Sequence, residues 1–113
     1  MAFNLSFGPF RNESRLVSVV DRVSARAQNA VWQRVRDRVL NMGVHEARGY
    51  IRARAALVIE REMAIAAGEE PTLSASHLSE INDAVRHRVV RRLLFESIRR
   101  HDSIRERRRR LAA

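Results

Sequence analysis

The feature that most restricts this chain's fold is a helical rhythm of apolar residues that persists for most of its length. From Leu16 to Ile98 apolar side chains return every three or four residues. That spacing lines one face of a helix. The rhythm stops at Gly43 and again across Gly68–Ser74, where Pro71 stands. The chain has only four glycines and two prolines in 113 residues, so little else could break a helix. The expected fold is all-α, a three-helix bundle.

Helix one is expected from Ser14 to Met42, capped by Asn12 or Ser14 and ended by Gly43 in the left-handed C′ position. Leu16, Val20, Val23, Ala27 and Val31 form one stripe, and Trp32, Val35, Val39 and Met42 form a second, rotated one. The rotation implies either a break near Gln28-Asn29, which would make four helices, or contact with two different surfaces. Helix two is expected from Val44 to Ala67, stopping at Gly68. Val44, Ala47, Ile51, Ala55, Val58 and Ile65 share its face, with Tyr50 and Leu57 to one side. The short Gly43 junction favours a close antiparallel pair over a sharp bend. Helix three is expected from near His77, capped by Ser74 or Ser76, with Leu78, Ile81, Val85, Val89 and Leu93 as its main stripe. Val90, Leu94 and Ile98 lie towards the opposite face, and Phe95 lies on the flank. A helix apolar on two sides is usually buried on both. One of those sides is therefore expected to face a second copy, making a homodimer.

Three regions follow. Residues 1–10 form an extended N-terminal arm, in which Phe3, Leu5 and Phe7 alternate with small or polar residues before Gly8-Pro9. Residues 11–104 form the helical domain. Residues 105–113 form a basic flexible tail, either a fraying helix or disordered.

The charge balance bears on function. All 22 basic residues are arginine, against 13 acids, for a net charge of +9. GC-rich coding explains the missing lysine better than function does, but it need not leave acids so outnumbered. Residues 1–40 carry +4, residues 41–75 carry −1 and residues 76–113 carry +6. Within helix three, Arg88, Arg92 and Arg99 fall in one narrow arc, while Arg86, Arg91 and Arg100 point elsewhere. Arginines spread in this way suit non-specific phosphate contact or ion pairs with Glu96, Asp102 and Glu106 on neighbouring turns. The run Arg107–Arg110 is the densest charge. Trp32, Tyr50 and Phe95 read as core, which argues against a stacking platform for single strands.

Catalytic chemistry finds little support. There is no cysteine, and hence no thiolate, disulfide or cysteine metal cluster. His45-Glu46 lacks the second histidine of a zinc-protease helix. Glu80, Asp83 and His87, with His77 one turn earlier, share an arc that could hold a divalent metal, but acids at a helix start and i,i+4 pairs are ordinary. No serine elbow or glycine-rich phosphate loop exists. His101 is expected to be exposed, and Glu60, Glu62, Glu69 and Glu70 read as solubilising residues. No run is long enough to cross a bilayer, and no secretory signal leads the chain, so a cytoplasmic location is expected.

The expectation is a non-enzymatic helical binding protein without cofactor or metal. Its partner would be DNA or RNA, contacted through Arg88, Arg92, Arg99, Arg105, Arg107, Arg108, Arg109 and Arg110. The alternative is a protein-interaction, assembly or adaptor role. Its working surfaces would then be Phe3, Leu5 and Phe7 of the arm and Val90, Leu94 and Ile98 of helix three, and an acidic partner would meet the arginines.

Overall fold

A computed structural model describes residues 10–112, with side chains from Ser14 onward. The arm residues Phe3, Leu5 and Phe7 lie outside the described residues. The rest forms three helices: α1 (Phe10–Val39), α2 (Val44–Glu69) and α3 (Ala75–Ala112). All three pairs of helices pack together. The molecule measures 60 × 24 × 19 Å. Its cross-section is about two helix diameters each way, as a triangular bundle requires.

The topology is up-down-up. Arg15 near the start of α1 bonds Glu70 just past the end of α2, so these helices are antiparallel. Arg88 of α3 meets Asp21 of α1, and His101 meets Leu40, so α1 and α3 run parallel.

α1 is unbroken through Gln28-Asn29. Alongside Val19 and Ser24, its buried residues run Leu16, Val20, Val23, Ala27, Val31, Val35 and Val39. From Val23 onward each step is four residues, so the buried face turns by roughly 160° over that stretch. Of the two alternatives that the rotated stripe allowed, the second is realised. One continuous helix contacts two surfaces, α2 and α3.

The α1–α2 turn differs from expectation. Gly43 has φ −68° and ψ 167°, an extended backbone, and it is the N-cap of α2 rather than a left-handed C′ residue. Its carbonyl accepts the first bond of α2 from Ala47 at 2.9 Å. The end of α1 is closed by tighter i→i+3 bonds, Asn41 N–H to Arg38 and Met42 N–H to Val39. The carbonyl of Leu40 lies 3.1 Å from His101 Nδ1 of α3. His101 is thus half-buried against the turn and not simply exposed.

The α2–α3 connection follows expectation more closely. α2 runs through Gly68 to Glu69. The Ser74 hydroxyl then accepts a bond from His77 N–H at 3.1 Å, and its carbonyl accepts Leu78 N–H. Ser74 is the N-cap of α3.

The core is built of small and branched side chains: eight from α1; Ala47, Ile51, Ala55, Val58, Ile59, Met63 and Ala66 from α2; and Ile81, Val85, Val89, Leu93 and Leu94 from α3. Val44, Leu57 and Ile65, expected on or beside the apolar face of α2, are exposed. Leu93 and Leu94 are adjacent and both buried, because α3 fits between two neighbours. Past His101, α3 continues to Ala112 with every residue exposed. Residues 105–112, expected as a fraying helix or disordered tail, are α-helical. They carry α3 about 16 Å beyond the α1–α2 turn.

Candidate nucleic-acid interface

Folding sorts the charge along the rod. The half at the α1–α2 turn, residues 28–54 and 90–112, carries fifteen arginines and five acids. The other half, residues 14–27 and 55–89, carries six arginines and seven acids. α2 is neutral as a whole, but three of its four arginines, Arg48, Arg52 and Arg54, precede three of its four acids, Glu60, Glu62 and Glu69. Antiparallel packing lays that basic start beside the basic ends of α1 and α3.

In the balanced half four of the six arginines are answered, Arg88 by Asp21 and three by the end of α2. Arg15, Arg22 and Arg26 of α1 reach Glu69 and Glu70, and Arg15 also donates to Thr72 Oγ1. Glu69 and Glu70, expected as solubilising residues, are therefore the anionic centre of an interhelix clamp. The hydrogen bond from Arg15 holds the Glu70 carboxyl below its ordinary value. Partial desolvation opposes this, and the charges of Arg15 and Arg22 add to it.

From the boundary of the two halves into the basic half, an open groove of about 910 Å³ runs between α1 and α3. Trp32, Gln28 and Asn29 line it from α1, and Arg88, Arg92, Phe95 and Arg99 line it from α3. These four α3 residues are spaced 4, 3 and 4 apart, one helical stripe. The structure also brings Arg91 and Arg100 to this groove, although their angles on the helix alone set them apart from it. Arg88 is tied to Asp21. Arg99 and Arg100 both bond Glu96, at 2.6 and 2.7 Å, and these bonds hold the Glu96 carboxyl below its ordinary value, Arg100 contributing most. The Arg100 guanidinium lies 5.2 Å from the Trp32 ring centre, a cation–π contact. Arg91 and Arg92 have no ion pair among the described residues.

Phe95 is not core: it is 67% exposed on the ridge beside this groove. Its position in the Arg88, Arg92 and Arg99 stripe was the available signal, since an aromatic in register with three arginines shares their exposed face. Trp32 and Tyr50 are half-buried against the core.

On the projecting part of α3, Arg109 and Arg110 lie 3.9 and 3.7 Å from Glu106. Arg105, Arg107 and Arg108 have no ion pair among the described residues. Consecutive helix positions differ by about 100°, so these five arginines surround the helix.

A second groove lies between α2 and α3, with Val44, Val90, Leu94, Phe95 and Ile98 among its lining and Arg48, Arg52, Arg86 and Arg91 at its edges. Leu94 belongs largely to the core, and Val90 packs against it. Ile98 is 37% exposed. Glu80, Asp83, His87 and His77 do not gather, since no three metal-binding side chains converge among the described residues. Among those residues no helix is long and apolar enough to cross a membrane. No protein-family model, curated protein or solved structure matches the chain.

Proposed function

We propose that this protein is a non-enzymatic nucleic-acid-binding bundle that contacts phosphates through the basic half of α3 and its projecting end. The observation that carries this reading is the lengthwise polarity. Fifteen arginines face five acids in one half of the rod, and five of those arginines ring the single helix in which that half ends. A field of this shape draws a phosphate polymer to one end and orients it. Guanidinium groups then grip phosphate oxygens and release condensed counterions. Arg92, Arg105, Arg107 and Arg108 are the foremost contacts, because no carboxylate among the described residues pairs with them. Arg88 and Arg99 contribute charge while anchored to Asp21 and Glu96. A chain without cysteine suits the reducing cytoplasm where nucleic acid is found.

The test is binding to mixed-sequence duplex DNA and to RNA, titrated with salt. Each lost phosphate contact lowers the slope of log K against log salt by about 0.7–0.9. Replacing Arg107–Arg110 with glutamine should lower it by about 3 if all four make contact. An unchanged slope would remove this segment from the mechanism.

A second reading is self-association through the α2–α3 groove, favoured by the exposed Val44, Phe95 and Ile98 beside buried Leu94. Sedimentation velocity across a concentration series should then reveal a dimer that Ile98→Asp converts to monomer. A monomer at every concentration would reject this reading. The arm with Phe3, Leu5 and Phe7 belongs to the same reading, and deleting residues 1–10 should weaken the dimer while leaving the helices folded.

A further inference from the structure

We infer that the α1–α3 groove is a seat for an unpaired base, so that the nucleic acid this protein prefers is single-stranded. The inference rests on the phosphate-binding reading and adds to it the identity of the strand. A groove that only collected phosphates would need charge alone. This one offers charge and ring surface within a few side chains of each other. Phe95 presents most of its ring to solvent, where burying it would have been favourable, and among the described residues no other helix covers it. Arg91 and Arg92 stand beside it without an ion pair among the described residues. Across the groove the Arg100 guanidinium lies over Trp32, whose ring backs the cation. A guanidinium plane held in this way is itself a surface on which a base stacks. Gln28 lines the same groove, and its amide oxygen is buried with no hydrogen-bond partner among the described residues. It is available for a base edge once the side chain turns outward.

The chemistry of the ligand follows. An aromatic face flanked by unpaired guanidinium groups suits a flat heterocycle joined to a phosphate, repeated along a strand. In a duplex the bases are stacked on one another, and their faces cannot reach Phe95 without being flipped out. A single strand offers those faces at little cost. The arginine-ringed end of α3 lies beyond the groove on the same helix, so a strand seated at Phe95 can continue along it.

The chain has one tryptophan, Trp32, so its fluorescence reports on this groove alone. The experiment titrates the full chain with mixed-sequence single-stranded DNA, the equivalent RNA and the matched DNA duplex at one salt concentration. The expected result is tighter binding of single strands than of duplex, with Trp32 emission altered only by the single strands. A response to DNA alone or to RNA alone would support the inference and name the sugar. Phe95→Ala should weaken single-strand binding by roughly ten-fold, the scale of one base–aromatic stack, with the salt slope unchanged. Phe95→Tyr keeps a ring and should restore it. Circular dichroism of both variants should match the parent, since Phe95 packs little.

Equal affinity for duplex and single strand, no change in Trp32 emission and no effect of Phe95→Ala would overturn the stacking seat. If binding still fell steeply with salt, the phosphate reading would stand. Absence of binding to all three probes would remove the phosphate reading, and the seat with it.

Discussion

Gly49 is the plainest point at which one residue sets stability. It sits exposed within α2, and a Cβ built there meets nothing within 4 Å. Glycine inside a helix costs about 1 kcal/mol relative to alanine, because the unfolded backbone has more freedom to lose. Gly49→Ala should therefore raise the melting temperature by several degrees in calorimetry. No rise would mean that α2 is already held by packing that propensity cannot improve. Phe95 teaches the opposite lesson about single residues. Its apolar character suggested burial, but its position in an arginine stripe decided its place, so periodicity was the better guide than residue type. His101 was opaque for a different reason. Its partner is the carbonyl of Leu40, sixty-one positions away, and no local pattern announces that contact.

At the scale of elements, the α1–α2 pair is held by its core and set in register by the clamp of Arg15, Arg22 and Arg26 on Glu69 and Glu70. Exposed ion pairs are individually weak, so the clamp aligns the helices more than it stabilises them. It still leaves a pH signature. Glu70 has a lowered pKa in the folded state, so its contribution is present above the ordinary carboxylate range and is lost as pH falls through the lowered folded value. Glu96 has the same sign. Glu70→Gln should flatten the fall of melting temperature on the acid side, with little change in its slope near neutrality. An acid limb identical to the parent's would show that the clamp does not couple to folding. The element ends divided in how legible they were. The Ser74 cap is a local device, a hydroxyl placed just before a helical run, and it was visible. The extended Gly43 was not, because glycine permits several backbone conformations and the neighbouring α3 helps close that turn.

For the whole molecule, the main consequence of folding is polarity. The basic end extends past the bundle as a single helix that touches little else. A chain ending at Asp102 should keep its melting temperature within a degree or two. It should nevertheless bind nucleic acid more weakly, with a flatter salt dependence. A large drop in melting temperature would mean that the projecting turns belong to the fold after all. A short isolated helix is marginal in water, so amide exchange should quicken from His101 towards Ala112 and slow when nucleic acid is added.

The apolar rhythm alone determined that this chain is helical, where its helices are divided to within a few residues, and most of the core, but not that α3 continues to Ala112. These are near-neighbour properties, set by 3.6 residues per turn and by the rarity of glycine and proline. Only the tertiary structure decided that α1 stays whole and turns its buried face between two partners. It also decided that Phe95 lies open beside five arginines and that a nearly neutral helix completes a basic end. In each case the deciding distance lies between helices. Antiparallel folding brings residues far apart in the chain to the same height, where their charges and rings act together.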